Sequence, residues 1–470
     1  MSSFYIQQFG CRATQADGAA IERQLLERGC TLAECSRDAE IVVINTCTVT
    51  AAADTQARDT IRKIHAQNPA VRIIVTGCYA QRAPEDLALL PGVSWVVGNS
   101  HKPSIPDLVT SSSSATAPRN QKDFVSLDAL QAESLDSESR ASNILVGDIF
   151  GLSDVLVAPV FGGEGNHTRP TLKIQDGCNS RCAFCVIPFV RGKSRSLAPD
   201  RVIAEINRLA RSGFCEIVLS GINLGTWGRD LVPRIEFIDL LSRILDETSV
   251  ERLRISSIEP LDVTNELIDL FASNDRLARH FHIPLQSGSD GILAAMHRWY
   301  RSEHYARRVD TIRDRLPDAA IGADVIAGFP GETEEDHAMS RAFIERMPFT
   351  YLHVFSYSLR PGTRAALLPN QVSPDLIKRR ARELRALGEQ KAAAFRRSQI
   401  GGTVRVLTLH SDARDYGITP ALSSNYLQIG VPGSFLFNQW LNVRLCEEKN
   451  GRLVGNPIAI SKEVGTRLSA

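Results

Sequence analysis

The sequence predicts an α/β protein with three folded parts: an amino-terminal parallel α/β domain, a partial (β/α) barrel, and a small carboxy-terminal β-barrel. Three observations lead there. Short apolar runs alternate with helical stretches over the first hundred residues, and a second β–α series begins near Thr171. After Gly401, β-type runs follow one another, separated by Gly, Pro, Asn and Asp.

In the first part, Phe4–Phe9 reads as a strand and Gln15–Arg28 as a helix. Ile41–Asn45 and Val71–Thr76 are further strands around a helix at Ala51–Gln67. From Ser111 to Ser142, nine serines mix with five acids, three bases and scattered apolar residues, which reads as a flexible linker or long insertion. The second series offers strands at Thr171–Gln175, Glu216–Leu219, Arg252–Ser256, His280–Leu285, Ala320–Ile326 and Tyr351–Phe355, with helices such as Pro199–Ser212 and Glu334–Glu345 between them. A basic helix follows Pro374. From Lys378 to Arg397 within it, Lys378, Arg379, Arg380, Arg382, Arg385, Lys391, Arg396 and Arg397 face only Glu383 and Glu389, a net charge of +6 over that span that suits either phosphate contacts or a solvated face. The tail has β-type runs at Val404–Leu409, Tyr426–Val431 and Trp440–Cys446.

At 470 residues, 43% hydrophobic and 23% charged, the chain can bury several cores. Its net charge of +1 excludes a global field for nucleic acid or membrane, so any RNA site is a local patch. The start, Met1 to Cys11, lacks a basic segment followed by an apolar one, and no later run has the length and apolarity of a membrane span. The expectation is a soluble, cytoplasmic protein with no membrane partner. Ten cysteines in such a chain point to metal or redox chemistry rather than disulfides.

The sharpest signal is Cys178-Asn-Ser-Arg-Cys182-Ala-Phe-Cys185, in a loop after the first strand of the second series. Three thiolates so close in sequence can take three corners of a cuboidal 4Fe–4S cluster and leave one iron without a protein ligand. A zinc knuckle would need a fourth Cys or His in reach, and His167 and the remaining cysteines are poorly spaced for that. Cys11, Cys47 and Cys78 lie far apart in sequence, yet each falls directly after an expected strand of the first domain. Parallel strand ends share one edge of a sheet, where open α/β folds bind ligands, so a second three-cysteine cluster is expected there. Buried structural cysteines are the competing reading. Cys30, Cys35, Cys215 and Cys446 share no such placement and read as ordinary residues.

The Cys178–Cys185 triplet resembles that of radical S-adenosylmethionine (SAM) enzymes. Asn45-Thr-Cys-Thr-Val-Thr50, Thr76-Gly-Cys-Tyr-Ala-Gln81, Ile174-Gln-Asp-Gly-Cys-Asn179, Phe281-His-Ile-Pro-Leu-Gln-Ser-Gly-Ser289 and His353-Val-Phe-Ser-Tyr-Ser-Leu-Arg-Pro-Gly-Thr363 extend the resemblance to the methylthiotransferases. Within them the chain is most similar to the branch acting on N6-threonylcarbamoyladenosine beside the anticodon. The other branches act on isopentenyladenosine or on a ribosomal-protein side chain. A nucleic-acid-binding protein with structural zinc is the reading from outside the enzymes.

The resemblance implies a methylthiotransferase amino-terminal domain over 1–110, a linker over 111–147, a radical SAM core over 164–398 and an RNA-binding TRAM domain over 399–464. It implies two 4Fe–4S clusters, one on Cys178, Cys182 and Cys185 that cleaves SAM, and one on Cys11, Cys47 and Cys78 that holds the transferred sulfur. The partners implied are a tRNA anticodon loop, an electron donor of flavodoxin or ferredoxin type, and a sulfur donor. Phe184, Ser220 and Gly221 stand where radical SAM proteins contact SAM, although Gly221 reads equally as a tight turn, and Ser256 and Gln286 are added as SAM contacts because they follow further barrel strands, where ligands gather. Glu332 precedes a helix and reads as a cap. No acid or base side chain is expected at the reacting carbon, because a purine C2–H is not acidic enough for His or Glu to remove near neutral pH.

Overall fold

The computed structural model describes residues 2–111, 143–152, 155, 168–410 and 417–458. Most of the serine-rich segment, and His167, lie outside these residues. The chain divides into two compact units, one of Met1–Leu152 with Phe189–Arg191, the other of the remainder. Among the described residues, no helix is long and apolar enough to cross a membrane.

The first unit holds six strands: β1 (Ser3–Gln8), β2 (Thr31–Leu32), β3 (Ile41–Thr46), β4 (Arg72–Gly77), β5 (Val93–Gly98) and β6 (Asn143–Leu145). They pair in the order β2-β1-β3-β4-β5-β6, and every pairing is parallel. β3 is buried at all six positions, as a central strand covered on both faces must be. Val42, Ile44, Ile73 and Val75 pack with Ala57, Ile61 and Ile64 of the helix Ala51–Gln67. Each of these Val and Ile side chains contributes about 1.5–3 kcal/mol on burial.

Two differences from the sequence reading stand out here. The first helix begins at Arg12 rather than Gln15, directly behind Cys11, which adopts extended backbone as its N-cap. No side-chain cap and no acid in the first turn announces that start. The expected linker also ends early: Asn143–Leu145 pairs with Trp95–Val97 as an added edge strand. Three residues next to a serine-rich run are too few to show a period.

The second unit contains β7 (Thr171–Lys173), a small antiparallel pair β8 (Gln175–Asp176) and β9 (Arg195–Ser196), then β10 (Glu216–Ser220), β11 (Arg252–Ile255), β12 (His280–His282), β13 (Ala320–Ala327) and β14 (Tyr351–Ser356). β11-β10-β7 and β12-β13-β14 form parallel sheets, joined through the parallel bridge Leu253↔Leu277. Helices follow the strands, giving the expected partial (β/α) barrel. Its core runs from Leu172 through Leu219, Leu253 and Phe281 to Ile321 and Val325.

β15 (Thr403–Thr408), β16 (Ile418–Ser423), β17 (Gln428–Pro432), β18 (Trp440–Lys449) and β19 (Arg452–Pro457) close a barrel in the order β15-β16-β17-β19-β18. The sequence reading had no strand at β16 or β19. Pro420 interrupts the first, and Gly455, Asn456 and Pro457 the second, so neither shows a β pattern.

The basic helix, Pro374–Ser398, is less free than its charge suggests. Arg380 is buried against Glu332 at 2.8 Å, Arg379 pairs with Glu334 at 2.6 Å and Arg396 with Glu448 at 2.6 Å. Lys391 donates to the carbonyls of Glu345 and Met347. Arg380 and Arg396 are thus paired within the fold and drop out of the phosphate-contact reading, while Arg379 stays half exposed on the surface. Glu332 is not the helix cap either. Thr333 caps the helix Glu334–Arg346, in a capping box with Asp336.

Candidate functional site

In the second unit, the loop after β8 is pinned at several points. Cys178 N donates to Gly192 O at 3.1 Å, Ala183 N to Met296 O at 2.9 Å, and Ala365 N to Ala183 O at 2.8 Å. The three thiols share one locale. Burial pushes the Cys185 thiol up to about 12, and the neighbouring Cys182 and Cys178 add to the rise. Cys182 is also raised by burial, opposed by the Arg298 guanidinium, whose Nη1 lies 3.2 Å from its Sγ. Burial thus keeps Cys182 and Cys185 as thiols until a cation stabilises their thiolates, so metal uptake here would release protons.

Arg298 also pairs with Glu259, and its Nε donates to the Tyr300 hydroxyl at 3.2 Å. Cys182, Asn223, Glu259, Asp262 and Arg298 line a cleft of about 510 Å³ beside the loop. Gln175 ties the cleft wall together: its Nε2 donates to Gly177 O and Ser194 Oγ, and its Oε1 accepts from Asn223 N.

The five expected SAM contacts are placed as follows. Phe184 sits in the cysteine loop and packs on Ala183, Ile292, Met296, Phe329 and Ala365. Ser220 ends β10 and Gly221 follows it, pressed on Gln175. Ser256 follows β11, and its buried hydroxyl has no hydrogen-bond partner. Gln286 has left-handed backbone, φ 66°, and its N–H donates to Asp324 O at 2.8 Å. None of the five lines the cleft, whereas Arg298 does. The sequence reading did not single out Arg298, since it follows a short helix with no motif of its own.

In the first unit, Cys11, Cys47 and Cys78 follow β1, β3 and β4, which are neighbours in the sheet. Their strand ends therefore stand side by side on one edge. Gly10 adopts φ +96°, and a Cβ there would fall 2.5 Å from the Cys47 Cβ, so the chain passes directly against that cysteine. Burial pushes the Cys47 thiol up to about 12, with Cys78 and Cys11 both adding to the rise. Asn99 Nδ2 lies 3.7 Å from Cys78 Sγ, and Thr14 Oγ1 3.6 Å from Cys11 Sγ. Asp17 holds two buried cations, Lys102 at 2.7 Å and Arg191 at 3.1 Å, whose fields reach Cys78 and Cys47 respectively.

Among the described residues, the one trio of His, Cys, Asp or Glu side chains with ligand atoms all within 4.8 Å is His282, Asp324 and His353. Neither cysteine trio closes to the spacing of a single ion, where ~2.3 Å Zn–S bonds would hold the sulfurs ~3.8 Å apart. A cuboidal cluster spreads its ligands more widely, so both trios fit it better than zinc. Of the remaining cysteines, Cys30 is buried, Cys35 contacts Asp38, Cys215 contacts Asn438 O and Cys446 contacts Arg444 O.

Residues 3–98 match the family described as "Uncharacterized protein family UPF0004", and residues 172–344 the "Radical SAM superfamily". The threonylcarbamoyladenosine tRNA methylthiotransferase MtaB of Aquifex aeolicus is 34% identical over 91% of this chain and 96% of its own length. That of Bacillus subtilis is 34% identical over 92% and 91%. The tRNA-2-methylthio-N(6)-dimethylallyladenosine synthase of Syntrophobacter fumaroxidans is 35% identical over 82% and 79%. Among solved structures, the radical SAM methyltransferase TsrM from Kitasatospora setae, with cobalamin and a [4Fe-4S] cluster bound, aligns with a TM-score of 0.51 at 17% identity, covering 78% of this chain and 77% of that one. That likeness is one of fold.

Proposed function

The chain belongs to the radical SAM tRNA methylthiotransferases, and from that premise we propose how its own residues divide the work. It converts N6-threonylcarbamoyladenosine beside the tRNA anticodon to its 2-methylthio derivative. When bound, 4Fe–4S clusters and SAM supply the electron, the radical and the methylthio group that this chemistry needs.

Cys178, Cys182 and Cys185 hold the SAM-cleaving cluster. Arg298 orients Cys182 and, through Glu259, presents a carboxylate to the adjoining cleft, where it can face a cationic amino group. Cys11, Cys47 and Cys78 hold the sulfur-bearing cluster, and Lys102 and Arg191 offset its negative charge. No residue acts as acid or base on the purine, whose C2–H offers no accessible proton. The carboxy-terminal barrel contributes to gripping an anticodon loop, since proteins that read RNA usually take splayed single strands. An electron donor of flavodoxin or ferredoxin type and a sulfur donor complete the cycle, and the protein works in the cytoplasm.

The observation that carries this reading is the presence of two separate cysteine trios, each gathered at strand ends, on a chain related to tRNA methylthiotransferases over nine-tenths of its length. The test is nucleoside mass spectrometry of tRNA from a strain lacking the gene, complemented by wild type or by Cys11→Ala. 2-Methylthio-N6-threonylcarbamoyladenosine should vanish with the gene and return only with wild type. Loss of the isopentenyl nucleoside or of a ribosomal-protein methylthio group instead would move the chain to another branch.

A further inference from the structure

The reaction above uses no acid or base, yet the partial barrel carries a polar cluster on β12, β13 and β14 that neither cysteine trio explains. The parallel register pairs His282 with Gly322, Gly322 with Tyr351, and Asp324 with His353. Residues two apart on a strand share a face, so Gly322 and Asp324 point the same way, as do Tyr351 and His353. Gly322 is what lets them meet. A Cβ there would fall 2.0 Å from Tyr351 Cζ, so the phenol ring lies across the glycine. Its hydroxyl thereby reaches His280 Nε2 at 2.8 Å and His282 Nδ1 at 3.0 Å.

The opposite nitrogen of His282 is the informative atom. Nε2 lies 2.9 Å from Asp324 Oδ1, and His353 Nδ1 lies 3.3 Å from the same oxygen. The two imidazoles favour the charged Asp324 carboxylate, yet the buried His282 Nε2 and Asp324 Oδ1 fall short of well-formed hydrogen-bond geometry. They are close but not aligned as donor and acceptor. The His282 side chain is only 8% exposed, so no bulk water satisfies it. Separations of this size are those of neighbouring ligands on one ion, ~3 Å for bonds of ~2.1 Å.

We propose that His282, Asp324 and His353 form a binding site for a divalent first-row cation such as Mn²⁺, Fe²⁺ or Zn²⁺, separate from both iron–sulfur centres. Two imidazoles and one carboxylate are a donor set for such ions and leave coordination positions open. The Tyr351 hydroxyl, hydrogen-bonded to His282 Nδ1, directs Nε2 at the ion, as outer partners of metal-bound histidines do. His353, half exposed, gives the ion a way in.

The experiment takes the full-length protein with its clusters reconstituted, titrates it anaerobically with Mn²⁺ alone, and reads free Mn²⁺ by room-temperature electron paramagnetic resonance. Mn²⁺ is a hard ion that thiols do not compete for. The proposal expects one Mn²⁺ bound per chain, displaced by Zn²⁺, and lost in Asp324→Asn and His282→Gln. Tyr351→Phe, a mild change that keeps all three ligands, should weaken binding about tenfold. Cluster absorbance in each variant reports that it has folded. Wild-type protein that binds no Mn²⁺, or folded ligand variants that bind as wild type does, would overturn the proposal and leave the methylthiotransferase reading untouched.

Discussion

At Arg298 a single guanidinium meets a candidate cluster thiol, a carboxylate and a phenol: Cys182 Sγ at 3.2 Å, Glu259, and Tyr300 at 3.2 Å. A cationic N–H donor stabilises negative charge on sulfur, and hydrogen bonds to sulfur help set the potential of an iron–sulfur centre. Arg298→Met should therefore make the cluster on Cys178, Cys182 and Cys185 harder to reduce. Formation of 5′-deoxyadenosine should fall about 10- to 100-fold with iron content retained. A redox titration followed by electron paramagnetic resonance checks the first effect, and a SAM-cleavage assay the second. The placement of the cysteines after strands was legible in the sequence because strand-then-cysteine is a local pattern. Arg298 was not, because Cys182 and Glu259 lie 116 and 39 residues away and meet it only through barrel closure.

Among the elements, β10 and β11 show how barrel strands carry charge as well as core. Burial alone would push the Glu216 carboxyl up, but Arg254, Arg252 and Arg169 overcome it and hold it well below the usual carboxylate range. Arg252 and Arg254 reach on to the carbonyls of Leu422, Ser423 and Ser424, fastening the carboxy-terminal barrel to the core. A carboxyl whose folded pKa is depressed contributes stability above its unfolded value, about 4.3 for Glu, and loses it as pH falls through the folded value. Unfolding should thus become easier below about pH 4 in wild type, and that acid dependence should shrink in Glu216→Gln. At neutral pH the same variant should lose about 3–5 kcal/mol in denaturant titrations, because three guanidiniums then lack their anion.

The helix Pro374–Ser398 poses the same question from the other side. Arg380 is 1% exposed and bonded to Glu332 and Glu334, so Arg380→Gln should cost a similar ~3–5 kcal/mol in stability. The salt dependence of tRNA binding by the folded variant should be unchanged, as measured by filter binding. A phosphate contact at Arg380 would instead lower the salt slope by about one. Sequence alone reports the charges on such a helix but not their partners. Glu332 and Glu334, some 46 to 48 residues earlier, are brought there by tertiary packing. The edge strand β6 escaped for a related reason, since pairing with β5, not its own period, makes it a strand.

Over the whole molecule, the repeating β–α series and the β-rich tail were readable because periodicity, punctuation and turn chemistry agree along most of the chain. Where they conflict, at Pro420 and at Gly455 to Pro457, closure of the barrel decides instead. The cluster of His282, Asp324 and His353 was invisible for a similar reason: each residue is ordinary on its own strand, and only the register of β12, β13 and β14 unites them. In the proposed division of labour, one cysteine trio holds the cluster that cleaves SAM and the other holds the cluster that carries sulfur to the nucleoside. The most direct measurement compares purified Cys47→Ala and Cys182→Ala, each reconstituted with iron and sulfide, for iron bound, 5′-deoxyadenosine formed and methylthiolated tRNA produced. Each variant should bind about half the wild-type iron, Cys47→Ala should still form 5′-deoxyadenosine without methylthiolated product, and Cys182→Ala should form neither. Methylthiolated product from Cys47→Ala, or 5′-deoxyadenosine from Cys182→Ala, would contradict it.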